Sequence, residues 1–339
     1  MRARELGLAC GVLPPGKRNS IADVPGVTVG HATIAEGEVL TGVTAVLPHE
    51  DDLFRDRPFA AAHVLNGFGK SVGLMQVNEL GWLETPILLT NTFGVGTCAN
   101  ALIRRAVRAD PEIGRQTSTV NPVVLECNDG YLSDIQAMAV TEAHADAAIE
   151  AASDDFANGA VGAGTGMSCF GLKGGVGTAS RRLRLEGENW HLGVLVLANF
   201  GRAGDLHLPD GRRIDPQATQ APEAGSCIIV IGTDIPLEHR QLARVARRAG
   251  VGLAWCGSFW GHGSGDIALA FTTANRMRPE TDEDILVHRA LSETRIDRLF
   301  QAAAEATQEA VLDALTGAET TVGRHGHQRV GLAELLGRG

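Results

Sequence analysis

The sequence predicts an α/β fold in which sheets are stacked between helix layers, and three observations predict it. The candidate strands are short, continuous apolar runs, the pattern of strands covered on both faces. The candidate helices are amphipathic or alanine-rich, so each has a face to bury against a sheet. No break in composition, internal repeat or low-complexity tract divides the 339 residues. Length alone would allow two domains, but the chain reads as one unit from 1 to 339.

The elements follow in order. GVTVGHATI (26–34) and GVTAVLP (42–48) are β-branched runs bounded by glycine, and they read as early strands. AAHVLNGFGKSVGL (61–74) leads toward a helix. TPILLTNTFG (85–94) is a buried strand, with CANALIRRAVRAD (98–110) as the helix after it. NPVVLECNDG (121–130) is another strand, and MAVTEAHADAAIEAA (138–152) reads as strand then helix. GAVGAGTGMSCFGLKGGVGTASR (159–181) is a glycine-dense loop. HLGVLVLANFG (191–201) and SCIIVIGTD (226–234) are the two strongest strands, separated by a polar stretch at 202–225 rich in proline and glycine. PLEHRQLARVARRAG (236–250) is a helix with Leu237, Leu242 and Val245 on one side and Gly250 as its expected C-cap. IALAFTTAN (267–275) is a strand, and 295–317 a long helix with an apolar stripe from Ile296 to Ala314.

Composition excludes several classes of function. A net charge of −10 disfavours nucleic-acid binding, which needs a clustered basic face. Arg240, Arg244, Arg247 and Arg248 recur at helical spacing and read as a solvated helix face. No run approaches the ~18 apolar residues of a membrane span. MRARELGLACGVLPPG shows no signal-peptide pattern, so a cytoplasmic location is expected. The six cysteines are scattered without a C-x-x-C pair, so neither a zinc site nor a disulfide frame is expected.

Two glycine motifs suggest nucleotides and fail. Gly94-x-Gly96-x-x-Ala99 matches a relaxed dinucleotide fingerprint, but Arg115 to Thr119 stand where a strand ending in an acid should follow. GFGKS (67–71) lacks the leading glycine of a phosphate loop, with Val64 in its place. His325-Gly326-His327 reads as an exposed tail rather than a ligand pair.

The chemistry gathers around the long polar connection, because such loops tend to be functional or disordered. It ends in Gly225-Ser226, at the entry to a buried strand. Glycine permits a strained backbone, and a neighbouring serine hydroxyl can attack the preceding carbonyl. That N-to-O acyl shift, followed by hydrolysis, frees Ser226 as a new N-terminus. A terminal amine has a pKa of about 7.7–8.0 and can act as base for its own hydroxyl. Taken alone, Ser226 reads as a turn residue. Ser264 and Asp266 are two apart in an extended segment, so they face one way and can relay a proton, or form a turn. Asn199 ends an apolar strand, where an amide can donate to an oxyanion or start a turn. Tyr131, the single tyrosine, stands beside Glu126, Asn128, Asp129 and Asp134.

GLKGGVGTASR (171–181), LVLANFG (195–201), GSCIIVIGTDIPL (225–237) and GSFWGHGSGDIALAFTTAN (257–275) together resemble the DmpA-type aminopeptidases, the L-aminopeptidase/D-esterases and β-aminopeptidases. NSIADVPGVTVGHATI (19–34) and NGFGKSVGL (66–74) extend the resemblance over about residues 15 to 320. It implies a four-layer α-β-β-α sandwich related to the N-terminal nucleophile hydrolases. It also implies a precursor that cuts itself between Gly225 and Ser226 into associated fragments, 1–225 and 226–339. Ser226 is then the nucleophile, assisted by Ser264 and Asp266, where some members carry Glu. Asn199 takes the oxyanion role, Tyr131 sits beside the reacting carbonyl, Lys173 tunes the nucleophile and Glu126 holds the substrate ammonium. Bulky Trp255 and Trp260, with His262, leave pocket shape open.

The expected function is therefore an autoprocessed serine aminopeptidase acting on short peptides, amides or esters, without cofactor or metal, as a tetramer or similar homo-oligomer. The alternatives are an amidase for unusual linear amides and an acyltransferase, though the self-cleaving acyltransferases use threonine.

Overall fold

The computed structural model describes residues 1–216 and 224–337. Residues 217–223 of the polar connection therefore lie outside the described residues. One sheet has four strands in the order β1-β2-β4-β5: β1 (Thr28–Glu36), β2 (Val39–Leu47), β4 (Ile87–Asn91) and β5 (Val123–Cys127). The other has five, in the order β3-β13-β12-β9-β8: β3 (Arg57–Gly67), β13 (Gly263–Met277), β12 (Ala224–Thr233), β9 (Glu188–Asn199) and β8 (Gly175–Leu185). Three two-stranded ribbons complete the set: β6 (Ser168–Cys169) with β7 (Leu172–Lys173), β10 (Leu206–His207) with β11 (Arg213–Ile214), and β14 (Thr321–Val322) with β15 (Gln328–Arg329).

Alternation along the strands builds three apolar layers. Val46, Ile87, Leu89, Val123 and Leu125 meet Leu195, Leu197, Ile228, Val230, Ile267 and Leu269 between the sheets. The intervening residues Val194, Val196, Cys227, Ile229 and Ile231 face outward against Leu242, Val245 and Leu253 of α4 (His239–Trp255) and Ala303 and Val311 of α5 (Asp297–Thr316). On the other side, Val43, Ala45, Leu88 and Val124 pack under α2 (Val95–Ala109) and α3 (Glu142–Glu150). Helices, sheet, sheet, helices: this is the four-layer α-β-β-α sandwich. Strands buried on both faces have no polar positions to alternate, which is why they read as continuous apolar runs. Fully burying each such Val, Leu or Ile contributes roughly 1.5–3 kcal/mol.

Four local expectations change. Residues 61–67 are the second half of β3, and the helix α1 begins only at Leu74 (Leu74–Leu80). Residues 138–141 form no strand and run directly into α3. The glycine-dense segment is not all loop, since β8 begins inside it at Gly175. Its glycines allow close packing: a Cβ on Gly177 would lie 2.1 Å from the carbonyl oxygen of Ala310 in α5. Gly250 does not cap α4, which continues to Trp255. It is buried, and a Cβ there would sit 2.9 Å from Leu65 and Trp260 side-chain atoms, so contact rather than termination selects glycine.

The six cysteines are buried. Among the described residues, no helix is long and apolar enough to cross a membrane. Arg240 and Arg244 on the basic face of α4 pair with Glu293.

Candidate active site

Three strands of the five-stranded sheet bring their polar ends together. Antiparallel pairing of β9 with β12 sets Asn199 opposite Ser226. Parallel pairing of β12 with β13 sets Ser264 beside Gly225 and Asp266 beside Cys227. The second sheet closes on the same point, where the Cys127 thiol at the end of β5 donates to the Ser226 carbonyl at 3.4 Å.

With the Gly225–Ser226 peptide bond intact, the Ser226 hydroxyl donates to the Gly225 carbonyl oxygen at 2.6 Å. Ser226 is buried. Gly225 has φ +132°, a conformation that L side chains rarely adopt, and a Cβ there would lie 2.0 Å from the Asn199 carbonyl oxygen. Only glycine fits.

Ser264 and Asp266 are fully buried. Ser226 has the strand parity of Ile228 and Val230, which face the inter-sheet core. Ser264 and Asp266 have the parity of Ala268 and Ala270, on the helix-facing side. They therefore lie on the opposite face of the sheet from the Ser226 hydroxyl, paired with the residues on either side of it. The Ser264 hydroxyl oxygen is buried without a hydrogen-bond partner among the described residues, and Asn66 Nδ2 donates to the Ser264 carbonyl.

Asn199 is oriented from both ends. Its Oδ1 accepts from the Ser168 N–H, and its Nδ2 donates to the Asn128 carbonyl, each at 2.8 Å. An amide NH₂ has two hydrogens, so one remains to donate. Ser168 is held in register with Lys173 by the β6–β7 ribbon. The fully buried Lys173 ammonium donates to the carbonyls of Gly164 (3.0 Å), Met167 (3.0 Å) and Gly174 (2.7 Å). All three of its protons go to this loop. Burial lowers its pKa to about 7, against the opposing pull of Cys169 and Asp129.

Glu126 is buried near the end of β5, accepting from the Lys70 N–H at 2.8 Å and from the Thr92 hydroxyl. Next to it, burial raises Asp129 to about 6 against hydrogen bonds from Thr41 and Asn91. Tyr131 is 40% exposed at the rim. The C-terminal segment covers it: His327 stacks on its ring with centroids 4.6 Å apart, and Arg329 Nη1 donates to its hydroxyl at 3.0 Å. The 325–327 segment is thus not simply an exposed tail, although His325 is exposed. No group of three or more His, Cys, Asp or Glu among the described residues is placed to hold a metal ion.

This geometry has close counterparts. The model of peptidase family S58 matches residues 19–329. The chain belongs to peptidase family S58. It is 36% identical to the β-peptidyl aminopeptidase BapA of Sphingosinicella microcystinivorans, over 98% of this chain and 90% of the relative. The L-aminopeptidase D-Ala-esterase/amidase of Ochrobactrum anthropi, described as a prototype for the serine aminopeptidases and a variant of the Ntn hydrolase fold, superposes with a TM-score of 0.90 at 35% identity, covering 99% of this chain and 97% of that one. A Pyrococcus horikoshii OT3 structure gives a TM-score of 0.94 at 47% identity, covering 99% and 98%. The chain is therefore a hydrolase of the aminopeptidase type, with a fold suited to an N-terminal nucleophile.

Sequence reasoning missed several groups around the site of this S58 chain. Ser168 and Asn128 carry no motif of their own and matter only through Asn199. Cys127 and Thr92 are brought in by the second sheet. Arg329 lies 198 positions from Tyr131.

Proposed function

We propose that this S58 peptidase is an autoprocessed serine aminopeptidase whose nucleophile is Ser226. The observation that carries the reading is the Gly225–Ser226 junction: a glycine at φ +132° with the serine hydroxyl 2.6 Å from its carbonyl oxygen. The hydroxyl attacks the Gly225 carbonyl carbon, the C–N bond breaks, and residue 225 is left as an ester on Ser226. Water hydrolyses the ester. Fragments 1–225 and 226–339 stay associated, because β12 and β13 of the second are hydrogen-bonded to β9 and β3 of the first.

The freed amine then serves as base for its own hydroxyl. Ser264 and Asp266, in register with Gly225 and Cys227, hold that amine. The hydroxyl oxygen attacks the carbonyl of the substrate's first residue, and the remaining N–H of Asn199 donates to the oxyanion. The leaving amine takes the proton, and water releases the acyl group from Ser226. Glu126, buried one residue from Cys127, receives the substrate ammonium, while Tyr131 flanks the reacting carbonyl. Lys173 acts through the loop that orients Asn199. No cofactor enters these steps. A cytoplasmic homo-oligomer, such as a tetramer, belongs to the same reading.

A denaturing gel with N-terminal sequencing tests it: a 114-residue fragment beginning Ser-Cys-Ile is expected. Ser226→Ala should give a single uncut chain without turnover, and a fully active Ser226→Ala protein would sink the proposal. Peptides with a blocked amine should be poor substrates if Glu126 reads the ammonium. Equal turnover of blocked and free peptides would favour an amidase for linear amides.

A further inference from the structure

The C-terminal ribbon delivers an unmatched cation to the rim of the site. Arg329, in β15, lies with its guanidinium carbon 3.7 Å from the Tyr131 ring centroid and donates to the Tyr131 hydroxyl at 3.0 Å. Its other hydrogen bond is a long one to its own neighbour, the Gln328 carbonyl, at 3.4 Å. No carboxylate among the described residues forms an ion pair with it. Its Nε is buried without a partner, and burial lowers its pKa. Arg329 is thus a half-buried cation whose neighbours are the ring and hydroxyl of Tyr131 rather than a carboxylate.

Two independent contacts fix where this cation sits. Tyr131 follows Asn128 by three residues, and the Asn128 carbonyl holds Asn199 at 2.8 Å. Val330, next to Arg329, accepts from the Lys173 N–H at 2.9 Å, and Lys173 is the ribbon partner of Ser168, which also holds Asn199. Arg329 is thus anchored from both sides to the residue opposite Ser226. The acid Glu126 is buried, whereas Tyr131 is 40% exposed.

We propose that Arg329 receives the free carboxylate of the leaving amino acid, so that the preferred substrates are dipeptides with an unblocked carboxyl end. This rests on the reading of Ser226, Asn199 and Glu126 above. An extended residue spans about 3.3–3.6 Å, so each residue added to the leaving group moves its carboxylate by that much relative to Arg329. A guanidinium gives a carboxylate charge-assisted hydrogen bonds, and Arg329 Nη2 makes no hydrogen bond among the described residues, since the two that are formed both use Nη1.

The test compares L-alanyl-L-leucine with L-alanyl-L-leucinamide, and the binding of L-leucine with that of L-leucinamide by calorimetry. The wild type should prefer the free acid by about tenfold or more in kcat/KM, the size of a charge-assisted hydrogen bond. Arg329→Gln should collapse that ratio, chiefly through KM for the acid, and Arg329→Lys should recover part of it. A wild type indifferent to acid and amide overturns the proposal. So does an Arg329→Gln protein that slows both substrates equally, which would mean Arg329 only props Tyr131. If neither peptide is turned over while leucine binds through its carboxylate in an Arg329-dependent way, the aminopeptidase reading fails and Arg329 stands. If leucine binds no better than leucinamide, Arg329 fails.

Discussion

Two regions bury charge completely and treat it in opposite ways. In the first, Arg181 of β8 is fully buried and bonds Glu305 (3.1 Å) and Glu309 (2.9 Å) of α5, and it also donates to the backbone carbonyls of Ser180 and Cys10. Arg4 joins Glu309 from the N-terminal segment. Burial alone would push Glu309 up, but Arg4 and Arg181 outweigh it and hold its pKa below the usual value. In the second region, beside Ser226, Asp129 and Lys173 are equally buried and have no ion pair among the described residues. Burial wins there, taking Asp129 up to about 6 and Lys173 down to about 7. The same desolvation is thus outweighed at Glu309 by Arg4 and Arg181 and prevails at Asp129 and Lys173, as it does at Asp313 of α5, which is raised to about 6 even though it pairs with Arg2. Groups that titrate near neutrality are what proton-transfer sites collect, and they sit at the polar strand ends.

The comparison can be broken in three places. Arg181→Met leaves Glu305 and Glu309 short of a buried partner, so unfolding stability should fall by about 3–5 kcal/mol, while kcat/KM per folded molecule stays near wild type. Urea unfolding and active-site titration check both halves, and a large loss of kcat in the folded fraction would show that the two regions are not separate. Asn199→Ala should do the reverse, lowering kcat by roughly 10²–10³ with a smaller stability loss than Arg181→Met. An unchanged kcat would remove Asn199 from the oxyanion role.

Asp129→Asn should have the smallest effect, visible in pH dependence. Its folded pKa is raised above the unfolded value, so the folded state keeps a proton that the unfolded chain gives up between about pH 4 and 6. The contribution of this group is thus fully present below that window and is lost as pH rises through it. Wild type and Asp129→Asn should be close in stability at pH 4, and by pH 7 the wild type should be about 2 kcal/mol the less stable of the two. Parallel stability profiles would mean that Asp129 does not titrate there.

Local signals were legible wherever one segment sufficed. The strands around Leu197 and Ile229, the helix α5 and the Gly225–Ser226 junction each announce themselves over about ten residues. Glycine misled twice, because a glycine chosen for close packing looks the same in sequence as one chosen for a turn. Gly250 is buried inside α4, and Gly177 lies under α5 within β8. Lys173 was legible as special, but its role was not: only the folded loop shows its ammonium bonded to three carbonyls rather than directed at the nucleophile.

By itself, the sequence determined that buried strands alternate with helices that have faces to cover them, and that a serine follows a glycine at the mouth of one strand. Apolar periodicity and a missing Cβ are properties of the local chain, so they need no partner to be read. The tertiary structure alone decided which strand ends meet, that Cys127 of one sheet closes on Ser226 of the other, and that Arg329 comes to rest on Tyr131. Those contacts join positions about 100 and 200 residues apart. They follow from sheet register and layer packing, which no single stretch of sequence encodes.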